Sequence, residues 1–324
     1  FRSDWVQNTE MDIANKVEFY IALVIGIPTV LLSIRCIFIL MRKEYRKHVF
    51  CKIFAATLVF SSLEYILLMH SLRFAGQGFF LEYYEAVAKA WWQPHHSWLC
   101  RVCYMLCLMS SFALSMNRVT ALYLNTKLVE KIWKPFSFLY LPLMIIAAGV
   151  LYYDIIVNRA EYVQAKNSDG SIYYQFMNYG LTRGWNSYYM MLECALDLIC
   201  NVLIILKFVK LRMGQFKRTA FENSLYLISF ASFFTHTVTT GIQIVLRYNL
   251  VPPSMLSHAY FVSNTFLDIT VLLPTIAILA LTKEIRSDVK RFIFSLLRCF
   301  KGGEVTPVTT TKITPSTQSV YASH

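Results

Sequence analysis

Residues 98–124 read WLCRVCYMLCLMSSFALSMNRVTALYL. From Trp98 to Met116 the stretch is apolar or small apart from Arg101. A bilayer's hydrocarbon core is about 30 Å thick and is crossed by about 20 helical residues. Arg118 stands about 20 residues in, hence about 30 Å from the start of the run. It therefore falls at the far membrane edge. Helix is the only form available, because lipid leaves open backbone groups unsatisfied. Six further runs qualify in the same way, at roughly 17–41, 49–72, 136–157, 187–211, 224–246 and 260–282. The expected architecture is an all-α membrane protein, a seven-transmembrane helix bundle over 17–282. Pro28, Pro142 and Pro274 fall inside runs, where neighbouring helices tolerate the lost hydrogen bond.

Composition agrees. Of the 324 residues 56% are hydrophobic and only 15% charged, against about 45–50% and about 25% in soluble domains. A disordered chain is excluded, and a water-soluble enzyme is disfavoured. The net charge of +12 is spread over short clusters between apolar runs, with no basic stripe suited to nucleic acid.

Those clusters set the orientation. The stretches 42–52, 118–134, 207–218 and 283–312 hold 21 of the 31 Lys and Arg, against eight in 1–16, 73–97, 158–186 and 247–259. The first set is expected to be cytoplasmic, with an extracellular amino terminus at 1–16 and a cytoplasmic carboxyl terminus. An odd number of spans requires the same split. Between spans four and five, Asn167, Ser168, Asp169 and Gly170 are turn formers with β-prone flanks, and predict an extracellular β-hairpin lid. In 73–97, Tyr83, Tyr84, Trp91 and Trp92 suit an interfacial helix in the headgroup layer. Residues 283–300 repeat Ile285, Val289, Phe292, Ile293, Leu296, Leu297 and Phe300 at helical spacing, with basic residues between. This predicts an amphipathic helix along the inner leaflet. Cys299 at its end is a candidate for lipidation. The Ser/Thr-rich tail at 301–324 reads as disordered.

Ionisable groups inside spans carry a functional hypothesis by default. Glu64, Glu193, Asp197, His236 and Asp268 fall in the middle or outer half of their helices. Glu193, Asp197 and Asn201 share a face at i, i+4 spacing. A bundle could gather the five ionisable groups around one outward-opening ligand cavity, or they could be paired and neutralised by neighbours. His70 and Arg101 lie near outer ends, where snorkelling suffices. Adjacent His95 and His96 diverge on a helix and make a poor metal pair. Arg118, after Asn117, suits an interior latch at the cytoplasmic end.

With Asn117-Arg118-Val119-Thr120-Ala121 at the inner end of span three, then Lys131-Ile132-Trp133, and Asp268-Ile269-Thr270-Val271-Leu272-Leu273-Pro274 in span seven, the chain resembles a G-protein-coupled receptor. More narrowly, it resembles the nematode chemoreceptors called serpentine receptor class gamma, or a sister class. The resemblance covers residues 17–300. It implies the rhodopsin-like layout, an environmental small-molecule sensor at the plasma membrane of chemosensory neurons and their cilia, a heterotrimeric G-protein partner, and Asn117, Arg118 and Pro274 as coupling residues. Asn117 replaces the usual acid before the arginine. Loop 158–186 has no Cys, so the usual loop disulfide to span three cannot form.

Other functions fit less well. Span seven lacks a Lys for a retinal Schiff base. No paired-His or HExxH spacing supports a membrane hydrolase or a resident metal, and no cofactor motif appears. A transporter or channel using Glu193 and Asp197 as a cation path remains the alternative, without the internal repeat such folds often carry.

Overall fold

The computed structural model describes residues 9–153, 156, 161–166, 172–177, 185–212, 220–248, 250–252 and 255–300. Residues 1–8, the tail at 301–324 and the turn Asn167–Gly170 lie outside the described residues, as does the side chain of Cys299. The helices are α1 (Thr9–Leu40), α2 (Lys43–Arg46), α3 (Val49–Leu68), α4 (Leu81–Ala88), α5 (Gln93–Tyr123), α6 (Thr126–Trp133), α7 (Leu141–Leu151), α8 (Trp185–Arg212), α9 (Ala220–Arg247), α10 (Leu256–Leu281) and α11 (Lys283–Phe300). Strands β1 (Glu161–Lys166) and β2 (Ile172–Met177) form an antiparallel hairpin. The chain is a mostly helical serpentine bundle.

Six stretches of the described helices are long and apolar enough to cross a membrane: Lys16–Leu40, Val49–Ser71, Gln93–Tyr123, Lys127–Leu151, Tyr188–Lys207 and His258–Leu281. The protein is thus a multi-pass membrane protein. The remaining bundle helix, α9, falls short of that apolarity for a visible reason. Ser229, Ser232, Thr235, His236, Thr239 and Thr240 are all buried on it, so its polar content faces protein. It packs against α10, α8 and α5. At the centre stands α5, with 78% of its apolar window buried, whereas the span ending in α7 has 11%. The first is a core helix and the second a rim helix presenting Phe138, Ile146 and Val150 outward to lipid.

Several hydroxyls inside the bundle are satisfied one turn back on their own helix. Thr29 Oγ1 donates to the Ile25 carbonyl at 2.7 Å, Thr57 to Ile53 at 3.1 Å, and Thr270 to Phe266 at 2.7 Å. Bonding back one turn lets a polar residue sit in lipid-like surroundings. Pro142 lies in the first turn of α7, where its missing N–H costs nothing. It follows a π-helical turn at Phe136–Tyr140, so it begins a helix rather than kinking one.

The two ends of the bundle differ. At one, β1 and β2 lie over α4 and the end of α3. Tyr162 and Tyr174 pack on Ala75, Tyr84 and Val87, and Tyr162 Oη donates to the Ser71 carbonyl at 3.1 Å. Burial of this hydroxyl and its neighbour Tyr84 pushes both phenols above their ordinary range, so both remain donors. The expected hairpin and the expected helix in 73–97 are both present. At the other end α11 lies against α1. Ile285 and Val289 are buried, Arg35 lies 4.3 Å from the Phe292 ring centroid, and Arg42 pairs with Asp288 at 2.6 Å.

Candidate functional site

Glu193 and Asp197 come together on α8, with Asn201 one turn further. The Asn201 amide donates to Asp197 Oδ1 at 3.2 Å and to the Asp197 carbonyl at 2.8 Å. It also reaches Ser115 Oγ of α5 at 3.4 Å, and Ser115 meets Ser229 of α9 at 3.3 Å. Three helices are thereby joined by side-chain hydrogen bonds at mid-bundle. Glu193 Oε2, one turn toward the hairpin end, has no hydrogen-bond partner among the described residues. Nor has His236 Nδ1 of α9. Tyr104 lies beside Glu193 and Thr240, and Thr240 lies beside Cys194. His236 and Thr240 share a face of α9 at i, i+4 spacing. All of these side chains except Cys194 are buried. Buried polar atoms left unpaired are costly, so Glu193 and His236 mark a strained polar region between α5, α8 and α9.

Glu64 and Asp268 lie elsewhere. Glu64 faces α5, where the Cys100 thiol donates to Oε1 at 3.9 Å, and its Oε2 is unpartnered among the described residues. Asp268 is engaged by Arg73, at the end of the second span, and Arg73 also holds Glu18 of α1 at 3.0 Å. This triad binds α1, the end of α3 and α10 into one unit. Glu18 and Arg73 escaped the sequence reading because each stands at a run's edge, where an ionisable residue looks like an end anchor. Tyr104 escaped it because a tyrosine in an apolar run carries no charge signal.

At the opposite end Arg118 is buried, with its guanidinium carbon 3.7 Å from the Phe50 ring centroid. A cation over a π face is a favourable contact, strongest when desolvated. It places α3's first turn against the end of α5. Next to it, Thr120 Oγ1 donates to the Asn117 carbonyl at 3.0 Å and accepts from Trp133 Nε1 at 2.9 Å. Asn125 caps α6 by accepting from the Leu128 amide at 2.8 Å. Tyr123 Oη donates to the Leu203 carbonyl of α8 at 3.1 Å. The Asn117-Arg118 segment is therefore the junction of α3, α5, α6 and α8. Pro274 sits on α10 beside a gap lined by Thr29, Ser33, Ser61, Ser62, Leu272 and Thr275. Ser62 donates to Ser33 across it at 2.9 Å.

A family model described as Srg family chemoreceptor matches residues 19–289. The chain belongs to the Srg family. The match starts in α1 and ends in α11, so it takes in the whole bundle, both carboxylates of α8 and the Arg118 junction. No curated protein matches the chain. For a member of the Srg family, a chemosensory receptor role follows from membership.

Proposed function

We propose that this Srg chemoreceptor takes a small molecule from outside the cell, beneath the β1–β2 hairpin, and signals through a heterotrimeric G protein. The observation that carries the reading is the pair of buried, unpartnered polar atoms, Glu193 Oε2 and His236 Nδ1, among the described residues. A ligand that meets them recovers hydrogen bonds the bundle lacks. In this reading α9 also crosses the membrane, as the sixth of seven spans, the amino terminus lies outside, and α11 lies on the cytoplasmic leaflet. Residues 1–16 are extracellular, 17–282 form the membrane domain, 283–300 lie along the membrane and 301–324 form the tail. Cys299 is available for lipidation, and the receptor acts at the plasma membrane, including sensory cilia. Lys, Arg and the loops at 42–48, 125–135 and 207–223 face the G protein. Glu64 and Asp268 contribute from the flanks, with any ligand contact at Asp268 competing against Arg73.

Binding favours an arrangement in which the ends of α8 and α9 beyond Arg118 separate, because a ligand shifts an equilibrium only by its differential affinity for the two arrangements. Arg118 leaving the Phe50 ring, with Asn117 beside it and Pro274 as a separate hinge point within α10, is the corresponding local event. Arg118→Ala is expected to reach the cell surface normally yet to cut agonist-driven nucleotide exchange by about tenfold or more. Full exchange in that variant refutes its coupling role. Asp197→Asn is expected to move the agonist dose–response curve by about tenfold, with surface expression unchanged. An unshifted curve argues against the α8 carboxylates as ligand contacts. An ion-flux assay run beside the exchange assay separates receptor from transporter: flux without exchange overturns the proposal.

A further inference from the structure

Two histidines read separately in the sequence are neighbours in the fold. His70 stands in a π-helical turn, Met69–Phe74, that continues α3. His96 stands in the first turn of α5. His70 Nδ1 and His96 Nε2 are 3.1 Å apart, with the ring planes inclined at 61°. His70 Nε2 lies 2.8 Å from Tyr83 Oη on α4. Tyr84 Oη donates to the His70 main-chain carbonyl. Both imidazoles are partly exposed at the hairpin end, within reach of ions from solvent.

Two nitrogens each 2.0–2.1 Å from a tetrahedral zinc ion lie about 3.3 Å apart. The His70–His96 separation is close to that edge length. When Tyr83 accepts from His70 Nε2–H, the proton is fixed on that nitrogen, and His70 Nδ1 accepts from His96 Nε2–H; an entering divalent cation takes the place of that shared proton, which leaves to solvent, and meets a lone pair on each nitrogen. Tyr83 is the outer partner that metal-ligating histidines characteristically have. The two ligands come from different helices. Each is held in place by its own packing, and the hydrogen bond from Tyr84 fixes the His70 backbone. A π-helical turn is a frequent mark of a functional position, and here it begins next to His70. Among the described residues no third His, Cys, Asp or Glu joins the pair, so the remaining coordination positions are open to water or to a donor group on an incoming molecule.

We propose that His70 and His96 form an open two-histidine site for a divalent transition-metal cation of the zinc type, bridging the second and third spans at the hairpin end. His95, assigned beside His96 by the sequence, takes no part, since its ring packs on Trp91 instead. A cation held there ties the end of α3 to the start of α5.

The test uses the full chain in lipid nanodiscs titrated with zinc chloride alone, followed by competition with a fluorescent zinc indicator. One zinc per chain is expected, with affinity reduced at least tenfold in both His70→Gln and His96→Gln. Tyr83→Phe is expected to lose about tenfold, as outer partners of metal ligands do, and His95→Gln to match the unaltered chain. Stoichiometric zinc is also expected to raise the thermal midpoint of the unaltered chain and to leave that of His70→Gln unmoved. Cobalt in place of zinc on the unaltered chain is expected to give visible bands of a nitrogen-and-oxygen site, which requires no variant to fold. Absence of stoichiometric binding by the unaltered chain, or a zinc affinity in His70→Gln and His96→Gln equal to that of the unaltered chain, overturns the proposal.

Discussion

Arg73→Met is expected to destabilise the bundle by about 3–5 kcal/mol, the loss typical when one partner of a buried ion pair is removed. Arg73 is 11% exposed, Glu18 9% and Asp268 13%, so none of the three is rescued by bulk water. Methionine keeps most of the stem volume, which isolates the charge from the packing. What remains is two carboxyl groups confined between α1, α3 and α10 with the intervening cation gone. The measurement is the thermal midpoint of the purified chain in nanodiscs, with surface expression as a second readout. The triple variant Glu18→Gln, Arg73→Met, Asp268→Asn is expected to recover much of the loss, because replacing a whole buried ionic group is far less costly than breaking it. An unchanged midpoint in Arg73→Met alone shows that the triad does not hold the three helices. The triad also fixes α10 above Pro274, so its rupture is expected to blunt signalling in whatever fraction of the protein still folds.

Gly26→Ala is expected to cost about 3 kcal/mol through overpacking. A Cβ built at Gly26 meets Tyr65 Oη at 1.8 Å and Cζ at 2.0 Å. Tyr65 is 2% exposed and donates its hydroxyl to the Ala22 carbonyl, so the ring has nowhere to swing. The glycine thus permits α1 to approach α3 closely, as small residues do in membrane bundles. Tyr65→Phe in the same chain is not expected to relieve the clash, since Cζ itself stands in the way. Tyr65→Leu is expected to relieve it. A Gly26→Ala midpoint equal to the unaltered one, or equal rescue by Phe and Leu, contradicts the packing described.

The Arg118 end was more legible than the hairpin end. Asn117-Arg118 announced itself by depth alone, because an arginine about 30 Å down an apolar helix has few places to be. Glu193 and Asp197 were legible as a pair because one helix and its 3.6-residue period suffice to set them side by side. Glu64 and Asp268 were legible as buried but not as neighbours of anything, since each one's partner comes from another helix. Tyr104 and Thr240 bring further buried polarity beside Glu193, yet an uncharged residue in an apolar run raises no alarm. The hairpin was visible through its turn formers, but that its tyrosines seal against α4 and Ser71 was not.

The sequence by itself determined that lipid is the solvent for about half of this chain, because runs of about 20 apolar residues have no other stable solvent, and that a hairpin and an amphipathic helix flank those runs. Only the tertiary structure decided that Arg73 joins Glu18 to Asp268, that Phe50 covers Arg118, and that His70 meets His96. The reason is geometric: hydropathy and helical period act along one axis of one helix, whereas the contact of two side chains depends on the rotation, depth and spacing of two helices, and those are set by the packing of all the others.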